Sequence, residues 1–371
     1  MRKLLFIIFF FAFYSPISDA LGQSAETMQA TAQAFRAAVA STESMLVTIE
    51  SYGGVGTKQG KIGGIRKQGE GNTTGVLLGP DGFIITSTFN FLTQPLIITV
   101  VTSDGVRRVA RPIGRDDSRK ICLLKIEDTT DLPDVSDIER VNVGDLRVGQ
   151  WALSLGVGYG DKSPAVSMGI ISALNRIGGR AVQTDANISP ANYGGPLIDI
   201  QGRLIGICVP LNPQSSAVAA GVEWYDSGIG FAIPLTQADT LIERLKDPET
   251  RIHPAFLGVR STPNTEGEGM FIESVVPGSA AENAGLEAQD IILELNEKNV
   301  SDMLTLKQIL NRFESGTETQ IKFLRTTSRS DDEQEEREEV QQPKEITATV
   351  RFLPPPKPKE DVDLLEPPKI R

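Results

Sequence analysis

The chain is poor in imidazole and thiol side chains. It carries one histidine, His253, and two cysteines, Cys122 and Cys208, in 371 residues. A His/Cys metal site has almost no ligands to draw on, and no metal is expected. Net positive charge is missing too: 37 lysines and arginines against 48 aspartates and glutamates leave −11. That balance argues against nonspecific binding to nucleic acid or anionic lipid and leaves room only for a local basic patch. No apolar run reaches the ~20 residues that a bilayer-spanning helix needs. The run from Leu4 to Phe13 follows Arg2-Lys3 and precedes Ser18-Asp-Ala20. It reads as a signal peptide over residues 1–22 and implies export, with membrane contact expected only if the segment stays uncleaved.

What is present suits a globular protein with tails. A composition that is 40% hydrophobic fills real cores, and the length predicts two or three domains at roughly 100–200 residues each. Residues 23–44 are rich in alanine and fit a helix, followed by strand-like Met45-Leu-Val-Thr-Ile49. From there to residue 237, short β-branched runs alternate with Gly and Asp turns. Examples are Val76-Leu-Leu78, Phe83-Ile-Ile-Thr86, Leu96-Ile-Ile-Thr-Val-Val101, Trp151-Ala-Leu-Ser-Leu155 and Leu204-Ile-Gly-Ile207. Many short strands with such turns predict an all-β barrel or sandwich. Gly156-Val-Gly-Tyr-Gly160 lacks the later glycine and helix of a nucleotide loop, and no cofactor is expected.

The stretch Thr184-Asp-Ala-Asn-Ile-Ser-Pro-Ala-Asn-Tyr-Gly-Gly-Pro-Leu197 has the build of an active-site loop, because Pro190 and Gly194-Gly195-Pro196 demand special backbone angles. It resembles the nucleophile loop of HtrA (DegP-like) serine proteases. Gly75-Val-Leu-Leu-Gly-Pro-Asp-Gly-Phe-Ile-Ile-Thr86, Gly114-Arg-Asp116, Leu123-Leu-Lys-Ile126 and Gln183-Thr-Asp185 follow the same pattern in order. The resemblance implies a double six-stranded barrel of the chymotrypsin/trypsin kind over residues 45–237. The two barrels would then hold Cys122 and Cys208 apart as separate buried thiols. Laid on the family pattern, the histidine position falls on Phe89, or on Asn90 after a one-residue slip. The acid position falls on Lys120 and the nucleophile on Tyr193. Ala191, Asn192 and Gly194 are what remains of the oxyanion loop. A serine protease needs a hydroxyl, an imidazole and a buried carboxylate in mutual reach, and His253 lies outside the barrels. Phe89 and Tyr193 are expected to face each other as an aromatic pair that plugs the cleft, with Lys120 nearby.

Residues 238–253 read as a linker helix. Leu257-Gly-Val259, Pro277-Gly-Ser-Ala-Ala-Glu-Asn-Ala-Gly-Leu286 and Asp290-Ile-Ile-Leu-Glu-Leu-Asn296 resemble a PDZ domain over 254–353, a small α+β unit. In that family the turn here formed by Phe256, Leu257, Gly258 and Val259 offers backbone amides to a peptide's C-terminal carboxylate. An acidic insertion, 326–344, interrupts its closing hairpin, and a Pro-rich tail occupies 354–371. The expectation is a pseudoprotease in the periplasm or cell envelope of a bacterium. It would bind polypeptide C-termini or unfolded segments as a chaperone, scaffold or regulator of active relatives. The resemblance implies a homotrimer, or a mixed oligomer with an active paralogue. Two alternatives stand beside this reading: an active endopeptidase of protein quality control, and an envelope-anchored structural protein.

Overall fold

The computed structural model describes residues 15–52, 72–91, 94–157, 163–212, 227–235, 238–247, 250–265, 267–325 and 343–356. The start of the signal peptide, most of the acidic insertion and the tail from 357 lie outside these residues. No helix among them is long and apolar enough to cross a membrane.

Helix α1 (Ser15–Thr42) is already under way at Ser15, ahead of the expected start at residue 23. Ala38 on it is buried, and the Phe35 ring meets Trp151 edge-on with centroids 5.6 Å apart. Those contacts pin the helix to the second barrel.

The first barrel uses β1 (Leu46–Tyr52), β2 (Thr73–Leu77), β3 (Phe83–Ser87), β4 (Ile97–Val101), β5 (Arg107–Asp116) and β6 (Ile121–Ile126). They pair antiparallel in the order β5-β4-β1-β2-β3-β6, and a β5–β6 ladder closes the ring. The second barrel closes as β10-β11-β12-β9-β8-β7. Its strands are β7 (Trp151–Gly156), β8 (Ala165–Asn175), β9 (Ala181–Thr184), β10 (Pro196–Ile198), β11 (Leu204–Val209) and β12 (Gly230–Pro234). Inward-facing apolar residues fill each barrel, and along strands such as β5 buried positions alternate with exposed ones. Cys122 on β6 and Cys208 on β11 are buried and unpaired, one in each barrel.

Helix α2 (Ala238–Lys246) then crosses the first barrel. Its Leu245 carbonyl rests directly over Gly114, at a bulge in β5 where even a methyl group has no room. The next segment adds β13 (Arg251–Ile252) parallel to β5, with the Asp117 amide donating to the Ile252 carbonyl at 2.8 Å.

The last domain is a sheet in the order β14-β15-β16-β18-β19, with β17 (Lys298–Asn299) beside β16. Its strands are β14 (Val259–Pro263), β15 (Met270–Val275), β16 (Ile291–Leu295), β18 (Glu318–Arg325) and β19 (Lys344–Arg351). Two short helices cover it, α3 (Ala280–Asn283) and α4 (Met303–Leu310), capped by Ser279 and Asp302 through the amides of Glu282 and Thr305. Leu257, Ile272, Ile292, Leu306, Ile321 and Phe323 form its separate core.

The Gly114 contact gives a test of how the linker helix is seated. Gly114→Ala should displace α2 at a cost of about 1–3 kcal/mol, the usual range for overpacking. The check is a lower urea midpoint at unchanged m-value.

Candidate functional site

The two barrels meet along a seam built from β2, β3 and a 3-10 turn, Thr88–Phe91, on one side. The loop before β10 forms the other side. The turn follows β3 because Thr88 and Ser87 both reach across to one acceptor: the Thr88 amide donates to the Lys120 carbonyl at 2.9 Å, and Ser87 Oγ at 3.2 Å. Phe89 and Tyr193 thereby come together. Their ring centroids are 5.0 Å apart at an interplanar angle of 71°, an edge-to-face pair. Both rings are buried, and both belong to the second barrel's core with Val141, Ile171, Val182, Ile188 and Leu197. Phe89 thus leaves its own barrel and fills its neighbour's interior.

Polar contacts surround the rings. Thr74 Oγ1 donates to the Ala191 carbonyl at 2.6 Å and accepts the Val157 amide at 2.9 Å. Thr86 Oγ1 donates to the Thr74 carbonyl at 2.7 Å. Asn90 Nδ2 donates to Thr86 Oγ1 at 2.9 Å and to the Tyr193 carbonyl at 3.1 Å. These neighbours are acceptors, so the amide nitrogen must face them. Asn90 Oδ1 is left without a partner among the described residues. That orphan costs about 1–3 kcal/mol, set against the bonds across the seam.

The loop itself is tied inward. The Asn192 amide donates to the Ser189 carbonyl, the Gly194 amide to the Cys208 carbonyl and the Gly195 amide to the Asn192 carbonyl, each at 2.8 Å. Asn192 Oδ1 accepts from the Ser189 amide and hydroxyl. Gly194 has φ +87, and a side chain there would run into Thr86 and the Thr74 carbonyl. Ala191 is buried, and its carbonyl lies only 2.6 Å from where a β-carbon on Gly156 would stand.

Lys120 is buried at the β5–β6 turn with φ +60. Burial disfavours its charge and pulls its pKa down to about 8, against the pull of Asp117. His253 lies away from the seam: its Nδ1 is 3.1 Å from Asp117 Oδ2, and its carbonyl accepts the Ser315 amide at 3.0 Å.

In the last domain, the Leu257 carbonyl accepts the Ala281 amide and the Gly258 carbonyl the Val276 amide, each at 2.8 Å. The Phe256 amide is used on Leu353 at 3.0 Å. Among the described residues the amides of Leu257 and Gly258 donate to nothing. Gly258 takes φ +84 and packs on Ser279, so the turn has one shape. It opens onto β14, an edge strand against which α4 packs.

Residues 73–207 match the model of a trypsin-like peptidase domain, and residues 248–323 that of a PDZ domain. The periplasmic pH-dependent serine endoprotease DegQ of Escherichia coli (strain K12) is 33% identical over 274 residues, 69% of this chain and 57% of DegQ. A probable periplasmic DegP-like serine endoprotease of Chlamydia pneumoniae is 32% identical over 269 residues, 68% of this chain and 52% of that protein. A solved structure of the HtrA-type protease AlgW with a tripeptide is 25% identical at a TM-score of 0.59, covering 87% of this chain and 98% of that one. The chain belongs to the HtrA family. It spans little more than half the length of the curated relatives it matches, 57% and 52% here. Like them it is an exported, periplasmic protein, and this HtrA-family member joins two closed six-stranded barrels to one PDZ domain.

The family pattern singles out Phe89, Lys120, Tyr193, Ala191, Asn192 and Gly194 at this seam but not Thr74 and Thr86. Threonines inside β-branched strands carry no signal of their own; Asn90 enters the family pattern only as the histidine position after a one-residue slip.

Two outcomes follow for this HtrA-family seam. A double-mutant cycle of Phe89→Leu and Tyr193→Leu should give a coupling energy of about 0.5–1.5 kcal/mol, and a coupling near zero would show that the rings do not hold the seam. Lys120 gives a pH signature. The native state releases its proton near 8 and the unfolded chain near 10.5. Between those values the unfolded chain binds more protons, so stability rises with pH across the window and the penalty is fully present below it. Urea midpoints at pH 7.5 and 10 should show this rise, up to about 3 kcal/mol, and Lys120→Met should remove it.

Proposed function

We propose that this HtrA-family protein binds polypeptides through its PDZ domain without cleaving them. The carrying observation is the buried Phe89–Tyr193 pair, 5.0 Å between centroids, at the seam where the family pattern lays its histidine and its serine. A phenylalanine takes up no proton, so it cannot serve the general-base role that the histidine of a serine protease fills. Loss of a serine-protease triad costs about 10⁶ in turnover, which leaves no useful hydrolysis. Asn192 supports the same reading, since its backbone amide, a donor that an oxyanion loop would offer, is spent on the Ser189 carbonyl at 2.8 Å.

The binding half rests on the PDZ turn. Two adjacent amides, those of Leu257 and Gly258, sit beside an edge strand, an arrangement that suits a terminal carboxylate with its peptide added as a further strand. Clients are then C-termini or unfolded segments, and a chaperone, scaffold or regulatory role follows. Assembly as a homotrimer, or as a mixed oligomer with an active paralogue, belongs to this proposal.

Active endopeptidase is the second reading, favoured by the names of the relatives. Its one available imidazole is His253, oriented by Asp117.

Purified protein at high concentration should leave casein intact while capturing peptides with free C-termini. The same peptides amidated at the C-terminus should bind at least about tenfold more weakly, as loss of a charged hydrogen-bonded group implies. Casein cleavage that persists through repurification and disappears in His253→Ala would establish the second reading instead.

A further inference from the structure

Away from the seam, a charged cluster lies where the PDZ domain meets the barrels. Glu314, just beyond α4, is forked between two guanidinium groups: Oε1 is 2.6 Å from Arg119 Nη1 and Oε2 is 2.9 Å from Arg244 Nη2. Arg119 also reaches Asp116 Oδ2 at 2.6 Å. Asp116 is fully buried and has its other oxygen occupied by the Ser118 amide and hydroxyl and the Arg119 amide. A third guanidinium joins them. Arg180 Nη2 donates to the Phe313 carbonyl at 2.5 Å, one residue from Glu314.

Arg180 makes no ion pair among the described residues. Burial first, and then the positive charge of Arg119, pull its pKa down to about 10, with Asp116 and Glu314 pulling the other way. Three guanidinium groups thus stand against two carboxylates, an excess of one positive charge inside a chain whose net charge is −11. Such a cluster lacks an anion rather than a cation. Planar guanidinium forks recognise carboxylate and phosphate oxygens in the same geometry. Glu314 supplies a single negative charge; a dianion on the same donors would also neutralise Arg180.

We propose that this junction is a binding site for a phosphate-type dianion, held by Arg119, Arg244 and Arg180, in which the Glu314 carboxylate stands as the internal competitor. Occupation by the dianion displaces Glu314 and removes two ion pairs that hold the PDZ domain to the barrels and to α2. The site is independent of whether the inter-barrel seam has any catalytic activity.

The test is calorimetric titration of inorganic phosphate into the whole chain at pH 7.5, with ionic strength held constant by chloride. Wild type should bind weakly. Glu314→Gln should bind at least about tenfold more tightly, because the competing carboxylate is gone. Arg180→Gln and Arg244→Gln should each lose about tenfold or more. The Arg244 side chain is nearly half exposed, so that variant keeps the test valid if Arg180→Gln fails to fold. Equal affinity in Glu314→Gln and wild type, unchanged binding in Arg244→Gln, or heat reproduced by chloride alone would each overturn the proposal. Binding to phosphatidylglycerol vesicles without binding to free phosphate would overturn it as well.

Discussion

A buried polar bridge holds the two barrels in register, and the rest of the seam depends on it. Asn90 and Thr74 on the first barrel grip the backbone of the second at Ala191, Tyr193 and Val157, and Thr86 braces both from within the first barrel. Each bond is made away from water, where a hydroxyl or amide left unpaired costs more than a made bond returns. The loop before β10 therefore has one shape. Once its carbonyls are fixed, Tyr193 has nowhere to place its ring except the second barrel's core, and Phe89 follows it there. The two rings fill the seam as an edge-to-face pair.

The same β5–β6 turn serves both the seam and the domain junction. The Lys120 carbonyl anchors Thr88 and Ser87. Asp116 holds Arg119, which reaches the PDZ domain at Glu314. Asp117 takes Arg251 and His253 from the linker strand. Arg115 lies beside Asp117 as a further cationic partner. Five residues thus connect the seam, the linker strand and the PDZ domain. The lone histidine finds its role here: a linker imidazole paired with a carboxylate whose pKa is held low by that hydrogen bond and by the two arginines, against the effect of burial.

Much of the fold was legible because closed barrels and PDZ domains write themselves as short apolar strands between glycine turns. The strand runs at Val76, Phe83, Trp151 and Leu204 lie in ladders, and Cys122 and Cys208 sit one to a barrel. The start of α1 was not legible, since residues 15–22 are neither alanine-rich nor regularly amphipathic. The charged junction was not legible either. Arg119, Arg180, Arg244 and Glu314 are spread over nearly two hundred positions, and each taken alone looks like a solvated surface charge.

The sequence by itself determined which atoms are available at the seam. Residues 45–237 contain no histidine, so any imidazole at the seam would have to come from His253. Only the tertiary structure decided where those side chains went. Pattern and composition name residues, but a ring's direction is set by which backbone groups are already held, and here Thr74 reaches Ala191 from 117 residues away. Contacts at that range depend on the closure of both barrels, which no local stretch encodes.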